Sequence, residues 1–179
     1  APQVLYAATS SAGVYRSTDG GHGWSAVSTG LAATAVRALA VGPDDPWRIF
    51  VALCSGGVFR SADGGSSWTA LTTGLVNAGV WAVAISPSDP QVVYAGISGG
   101  VYQSTNGGNS WGVAVNSGLA TGKGFTALVI DPADPNRVYL GTDGSGVYLS
   151  TDGGRRWAAA NSGLTDPQVH ALAIGPASA

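Results

Sequence analysis

The chain has 179 residues, a formal net charge of −2, 28 Gly and a single Cys, and only 10% of it is charged. All ten acids are Asp and Lys123 is the one Lys, so no basic stripe is on offer to a nucleic acid backbone. One Cys permits no internal disulfide, and no apolar run approaches the ~18 residues of a membrane span.

A chain that opens on Ala1 and holds no Met is expected to be processed, excised or trimmed. Its first residues, Ala1-Pro2-Gln3-Val4-Leu5-Tyr6-Ala7, align with Asp89-Pro90-Gln91-Val92-Val93-Tyr94-Ala95 further on. The strand that follows reads Val-Tyr-Arg-Ser and ends at Ser17. Next comes Ser17-Thr18-Asp19-Gly20-Gly21-His22-Gly23-Trp24, a tight turn by its chemistry. The Asp side chain accepts bonds from backbone N–H groups just ahead of it, and the Gly pair supplies positive φ. The Trp opens the next strand and is expected to fold its ring back over the hairpin, buried.

One full unit then runs from Val36 to Leu75. Its first strand is Val36 to Val41, a Pro-Asp turn follows at 42–46, and the second strand is Arg48 to Leu53. The third strand, Val58 to Ser61, leads into a second copy of the turn, marked by Ser61, Asp63, Gly65 and Trp68. The fourth strand is Trp68 to Leu71. A third copy carries Ser104, Asn106, Gly108 and Trp111, and a fourth Ser150, Asp152, Gly154 and Trp157. The acidic position recurs after 44, 43 and 46 residues, a period that suits a four-stranded propeller blade. Further first strands are expected at Val80 to Ile85, Phe125 to Ile130 and Val169 to Ile174. Second strands are expected at Val92 to Gly96 and Arg137 to Gly141. Short β-rich elements at even spacing, with no helical period, predict an all-β chain forming one domain over residues 1–179.

The Ser-x-Asp-x-Gly-x-x-Trp turn resembles the Asp-box, or BNR repeat, of sialidases, the sortilin family, xyloglucan-degrading glycoside hydrolases and photosystem assembly factors. With its flanking strands the resemblance covers the whole chain. It implies a β-propeller of four-stranded antiparallel blades, with the box joining third and fourth strands away from the ligand face. It implies a fold rather than an activity, and an extracellular or cell-envelope setting.

The chain holds four sets of strands cut at the turn between first and second strands, so its last strand would complete the blade that its first residues begin. Three arrangements satisfy this: one chain closing as four blades, two copies closing as eight, or four blades of a larger ring. The two-chain ring is preferred, because members of the resembled family commonly have six or more blades and four would need a very tight centre.

Candidate chemistry is sparse. The box residues Asp19, Asp63, Asp152 and Asn106 offer at most one acid per turn, whereas calcium wants six to eight oxygens, so they are read as turn staples and no metal or cofactor is expected. Asp143 and Asp166 are the only acids outside the repeat pattern, a weak basis for a glycosidase pair. The Glu and Arg cluster that sialidases use have no match. Cys54 occupies a small-residue slot and is read as inert.

One position is more informative. Arg37, Trp81, Thr126 and His170 are equivalent in the four first strands, yet differ in chemistry, while the positions two and four residues on stay apolar. First strands line the centre of a propeller, so this ring is expected at the channel mouth, with Trp81 stacking on a sugar or apolar group and Arg37 and His170 adding polar contacts. Asp143 and Lys123 are placed on the same face, opposite the boxes. The expected function is a binding or scaffold module, more an adaptor than an enzyme, for a glycan or protein ligand and for a second copy of itself. The alternative is a relative or fragment of a sialidase- or xyloglucanase-type glycoside hydrolase with an incomplete or unrecognised catalytic site.

Overall fold

The computed structural model describes residues 3–75, 79–97, 99–113, 116–120 and 124–175. Every regular element among them is a β-strand. The first sheet holds β1 (Leu5–Ala8), β2 (Val14–Ser17) and β3 (Ser25–Ala26). The second holds β4 (Val36–Val41), β5 (Ile49–Leu53), β6 (Gly57–Ser61) and β7 (Thr69–Ala70). The third holds β8 (Val80–Ile85), β9 (Val93–Ile97), β10 (Gly100–Ser104) and β11 (Gly112–Val113). The fourth holds β12 (Phe125–Ile130), β13 (Val138–Thr142), β14 (Gly146–Ser150) and β15 (Ala158–Ala159). Each sheet is an antiparallel meander in chain order, one blade of a β-propeller.

The register repeats from blade to blade. Ala38 pairs with Ala52, Ala82 with Gly96 and Ala127 with Gly141, and each inner strand shifts register just before that pair. Equal spacing in sequence thus becomes equal position in space.

The core lies between blades, because alternate residues of a strand point to opposite faces. In the second blade Ile49, Val51 and Leu53 pack with Val14 and Val27 of the first. Phe50 and Ala52, on the other face, pack with Val80, Val83 and Ile85 of the third. The third blade's remaining face, with Ala82, Ala84, Tyr94 and Val101, meets Phe125, Leu128 and Leu140 of the fourth. A blade is therefore a wall shared by two cores, and an end blade has only one.

Two expectations fail here. Residues 169–174 form no strand: this segment makes only an isolated antiparallel bridge nearby, between Gln168 and Asp143. It enters the next inner position by a bond from Val169 N to Thr142 O, 3.0 Å, as β4 enters its own by Val36 N to Thr9 O, 3.0 Å. It lacks a strand only because no second strand lies beside it among the described residues. Nor is Trp24 buried; it is 44% exposed, while Trp111 and Trp157 are 5% exposed and Trp68 lies between. The rings do not all fold over their own hairpins. Trp68 Nε1 donates to Val27 O at 2.8 Å and Trp111 Nε1 to Leu71 O at 2.9 Å, each in the preceding blade. Trp157 Nε1 instead donates to Gly154 O in its own turn. Among the described residues no blade stands before the first for Trp24 to reach.

Candidate functional site

The four turns are built alike. The Ser17 hydroxyl donates to Asp19 Oδ1 at 2.7 Å and accepts from Gly21 N at 2.9 Å, and Asp19 Oδ1 also accepts from Gly23 N. Ser61 with Asp63 and Ser150 with Asp152 repeat the arrangement. Asn106 reproduces it with a neutral amide: its Oδ1 accepts from the Ser104 hydroxyl and Ser110 N, and its Nδ2 donates to Ser110 Oγ. Gly20, Gly21 and their counterparts sit at positive φ, which L side chains rarely adopt.

These bonds favour the ionised carboxylates. The Ser67 hydroxyl, followed by Ser67 N–H and the Ser61 hydroxyl, holds Asp63 down at about 2. Asp19 is lowered first by the Ser17 hydroxyl, and Asp152 first by the Arg156 N–H. Their acceptor capacity is directed into their own turns, and no cluster of three or more His, Cys or Asp able to hold a metal occurs among the described residues.

The opposite ends of the blades differ from one another. The starts of the inner strands bring Arg37, Trp81, Thr126 and His170 around one cavity of about 470 Å³, with Ser10 and Cys54 also in its wall. That volume falls in the range of small-molecule sites, roughly 300–1,000 Å³. The Arg37 guanidinium lies over the Trp81 ring, 3.7 Å from its centroid, and Arg37 Nη2 donates to Cys54 Sγ at 3.3 Å. The Thr126 hydroxyl donates to Val169 O, which ties the fourth inner strand to the segment that carries His170. Arg37 and His170 line the cavity, and among the described residues no carboxylate does.

The repeat spacing puts these four residues at one level, but it presents Trp81 as a platform for a ligand. Arg37 occupies one face of that platform. Cys54, in sequence an inert spacer, uses its sulfur to hold the guanidinium in place. Neither pairing has a local signal, since Arg37 is 17 residues from Cys54 and lies in a different blade from Trp81.

Asp143 does not join this cavity wall. Its N–H donates to Gly124 O, and the loop it opens rests on the next one, through bonds from Gly144 N and Gly146 N to Pro167 O. Asp166 spends its Oδ1 on Gln168 N at 2.9 Å, the same turn closure that Asp45, Asp89 and Asp134 make two residues ahead. Lys123 lies outside the described residues. No helix among the described residues is long and apolar enough to cross a membrane.

No protein-family model matches the chain. No curated protein matches it either. Solved structures do resemble it. An ancestral GH74 enzyme is 29% identical with a TM-score of 0.73, over 87% of this chain and 22% of that one. The GH74 xyloglucanase from Xanthomonas campestris is 21% identical with a TM-score of 0.72, over 94% of this chain and 29% of that one. YCF48 bound to D1 peptide is 19% identical with a TM-score of 0.59, over 88% of this chain and 49% of that one. All are β-propeller proteins. The chain spans less than a third of the GH74 proteins and about half of YCF48.

Proposed function

We propose that the chain is a non-enzymatic binding module of Asp-box type that takes a glycan at the cavity formed by the inner-strand starts. The observation that carries this is the convergence of Arg37, Trp81, Thr126 and His170 on one cavity of about 470 Å³. Positions that the repeat holds equivalent keep one chemistry where packing decides them, and here they take four. Arg37 and the Trp81 edge give a cationic, partly apolar wall, suited to a sugar that carries a carboxylate or other anionic substituent. Among the described residues no acid lines the wall to protonate a leaving group or to attack a sugar, so binding without turnover is the reading the lining favours.

The test is titration of neutral and acidic oligosaccharides, xyloglucan fragments and uronate-containing ones included, by calorimetry. Trp81→Ala should weaken binding by about 1–3 kcal/mol, as for interface aromatics. Arg155→Ala, in the fourth turn, should leave it unchanged. The opposite pattern in two folded variants would move the site to the turn side. A carboxylate-bearing peptide that binds in place of any sugar would make the ligand a protein instead.

A second reading has one specific support, the 29% identity to an ancestral GH74 enzyme. In that reading the chain is related to a glycoside hydrolase and contributes part of its cleft. Release of reducing ends from xyloglucan by the chain would favour it over the binding module.

A further inference from the structure

We propose that the junction of the third and fourth blades, on the side of the turns, holds a second site, and that this site takes a guanidinium group. The junctions repeat, and the other two carry that group already. In each, the first glycine of the turn pair donates its N–H to its own blade: Gly64 N to Trp47 O at 2.9 Å, Gly107 N to Gln91 O at 2.8 Å and Gly153 N to Asn136 O at 3.0 Å. The glycine carbonyl is met from the blade before. Arg16 Nη1 donates to Gly64 O at 3.0 Å across the first junction, and Arg60 Nη1 to Gly107 O at 2.7 Å across the second.

The third junction departs from this pattern. The residue in the place of Arg60 is Gln103, which pairs with Tyr94 as Arg60 pairs with Phe50. Gln103 Nε2 donates to the Tyr94 hydroxyl at 2.8 Å, and that hydroxyl donates to Gly153 O at 3.1 Å. Arg48 of the second blade is likewise replaced by Val92. The glycines show the change in space. A Cβ on Gly64 would lie 2.6 Å from Arg16 Nη1, and one on Gly107 3.3 Å from Arg60 Nη1. One on Gly153 would meet the Tyr94 hydroxyl at 3.5 Å and Asn136 Oδ1 at 3.8 Å, and no cation among the described residues.

In place of the arginines this junction has a cavity of about 230 Å³, with Ser86, Asp89, Gln103, Asn136, Asp152 and Arg155 in its wall. That is below the roughly 300–1,000 Å³ of small-molecule sites, so it fits one functional group rather than a whole ligand. The wall is rich in acceptors. Asp89 and Asp152 each hold their own turn through Oδ1, which leaves Oδ2 for a donor from outside. Gly153 O has a lone pair beyond its bond from Tyr94. Among the described residues two carboxylates stand against the single Arg155, so the wall is net negative. A guanidinium offers several N–H donors in a flat fork and is weakly hydrated, so it suits this wall better than a compact ammonium does.

The group has two sources, a free guanidino compound or an arginine side chain of a protein segment. The experiment is calorimetric titration of the chain with methylguanidine, with methylammonium and with the blocked peptide acetyl-Gly-Arg-Gly-amide. Methylguanidine should bind about tenfold more tightly than methylammonium, the scale of one further charged hydrogen bond. A peptide that binds more tightly than methylguanidine assigns the site to a protein arginine, and one that binds no more tightly assigns it to a free compound. Two variants check the place, with circular dichroism to show that each folds. Gln103→Arg supplies the guanidinium from within, as Arg60 does next door, and should abolish binding of the probes. Asp152→Asn keeps the turn in the form that Asn106 already takes, and should weaken methylguanidine by about two- to fivefold, the scale of a partly exposed ion pair. Equal binding of methylguanidine and methylammonium, no binding of either guanidinium probe at millimolar concentration, or undiminished binding in either folded variant would each overturn the proposal.

Discussion

β9, in the third blade, is buried at all five positions, while β1, its counterpart in the first blade, is half-exposed along its length and exposed at Ala8. The inner strands differ in the same way. β8 is buried everywhere but at Trp81, whereas in β4 only Val36 is buried and Val41 is 38% exposed. Yet the residues are alike: Val-Trp-Ala-Val-Ala-Ile in β8 against Val-Arg-Ala-Leu-Ala-Val in β4. Burial in this protein is set by which strands stand on either side: β8 lies between β4 and β12, whereas the three-stranded first blade offers β4 no inner strand and β1 has no blade beyond it among the described residues; the strand's own residues come second. An identical substitution should therefore cost different amounts in the middle and at the ends.

The largest contrast is expected at the tryptophans. Trp111→Ala should cost about 3–5 kcal/mol in denaturant unfolding, the scale of other large core truncations. Trp24→Ala should cost under about 1 kcal/mol in dilute solution, as for surface changes. Equal losses in dilute solution would break the comparison.

The glycines sharpen it. Gly74→Ala and Gly163→Ala both place a Cβ at positive φ, 89° and 82°, which costs about 1–2 kcal/mol for either. Gly74→Ala also drives that carbon against the Trp111 carbonyl, for roughly 1–3 kcal/mol more, as in overpacked cores. Urea midpoints of the two variants in dilute solution should separate by that second amount, and coincident midpoints would mean that the blades do not pack as closely as described.

A smaller effect is expected in acid. Asp63 has a folded value of about 2, below the ordinary value of about 3.9 for Asp. The unfolded chain then takes up the proton first, so this carboxylate's contribution is complete above about pH 4 and is lost as pH falls toward 2. Asp63→Asn, which copies the neutral turn that Asn106 already forms, should flatten the decline of melting temperature over that window, and Asn106→Asp should steepen it. A steeper decline in Asp63→Asn would reverse the sign of the argument. The smallest expected effect is that of chelation: EDTA should move the melting temperature by no more than about a degree or two, far less than the loss of a bound structural ion would. A larger drop, restored by calcium, would show that the turn carboxylates hold metal.

These contrasts mark what could be read in the sequence. The four turns were legible because Ser17, Asp19 and Gly21, with their counterparts, bond within five residues of each other. Strand positions were legible to within a residue or two, since alternation and Pro-Asp breaks are local. The inner-strand ring was legible as a set of equivalent positions, because a repeat converts sequence spacing into spatial position. What depends on a neighbouring blade was not legible. The exposure of Trp24, the unpaired state of residues 169–174, the reach of Trp68 to Val27 and the stacking of Arg37 on Trp81 all follow from which blade stands beside which. How the Asp143 loop sits beside that ring was likewise not legible: it is held by Gly124 and rests on Pro167, outside the cavity wall.

The central claim, that an inner strand here owes its protection to the strands beside it, is tested most directly by amide hydrogen exchange in dilute solution. Amides of 80–85, with β4 and β12 on either side, should be protected, while those of 169–174 should exchange freely. Equal protection of the two segments, or free exchange of both, would contradict the account.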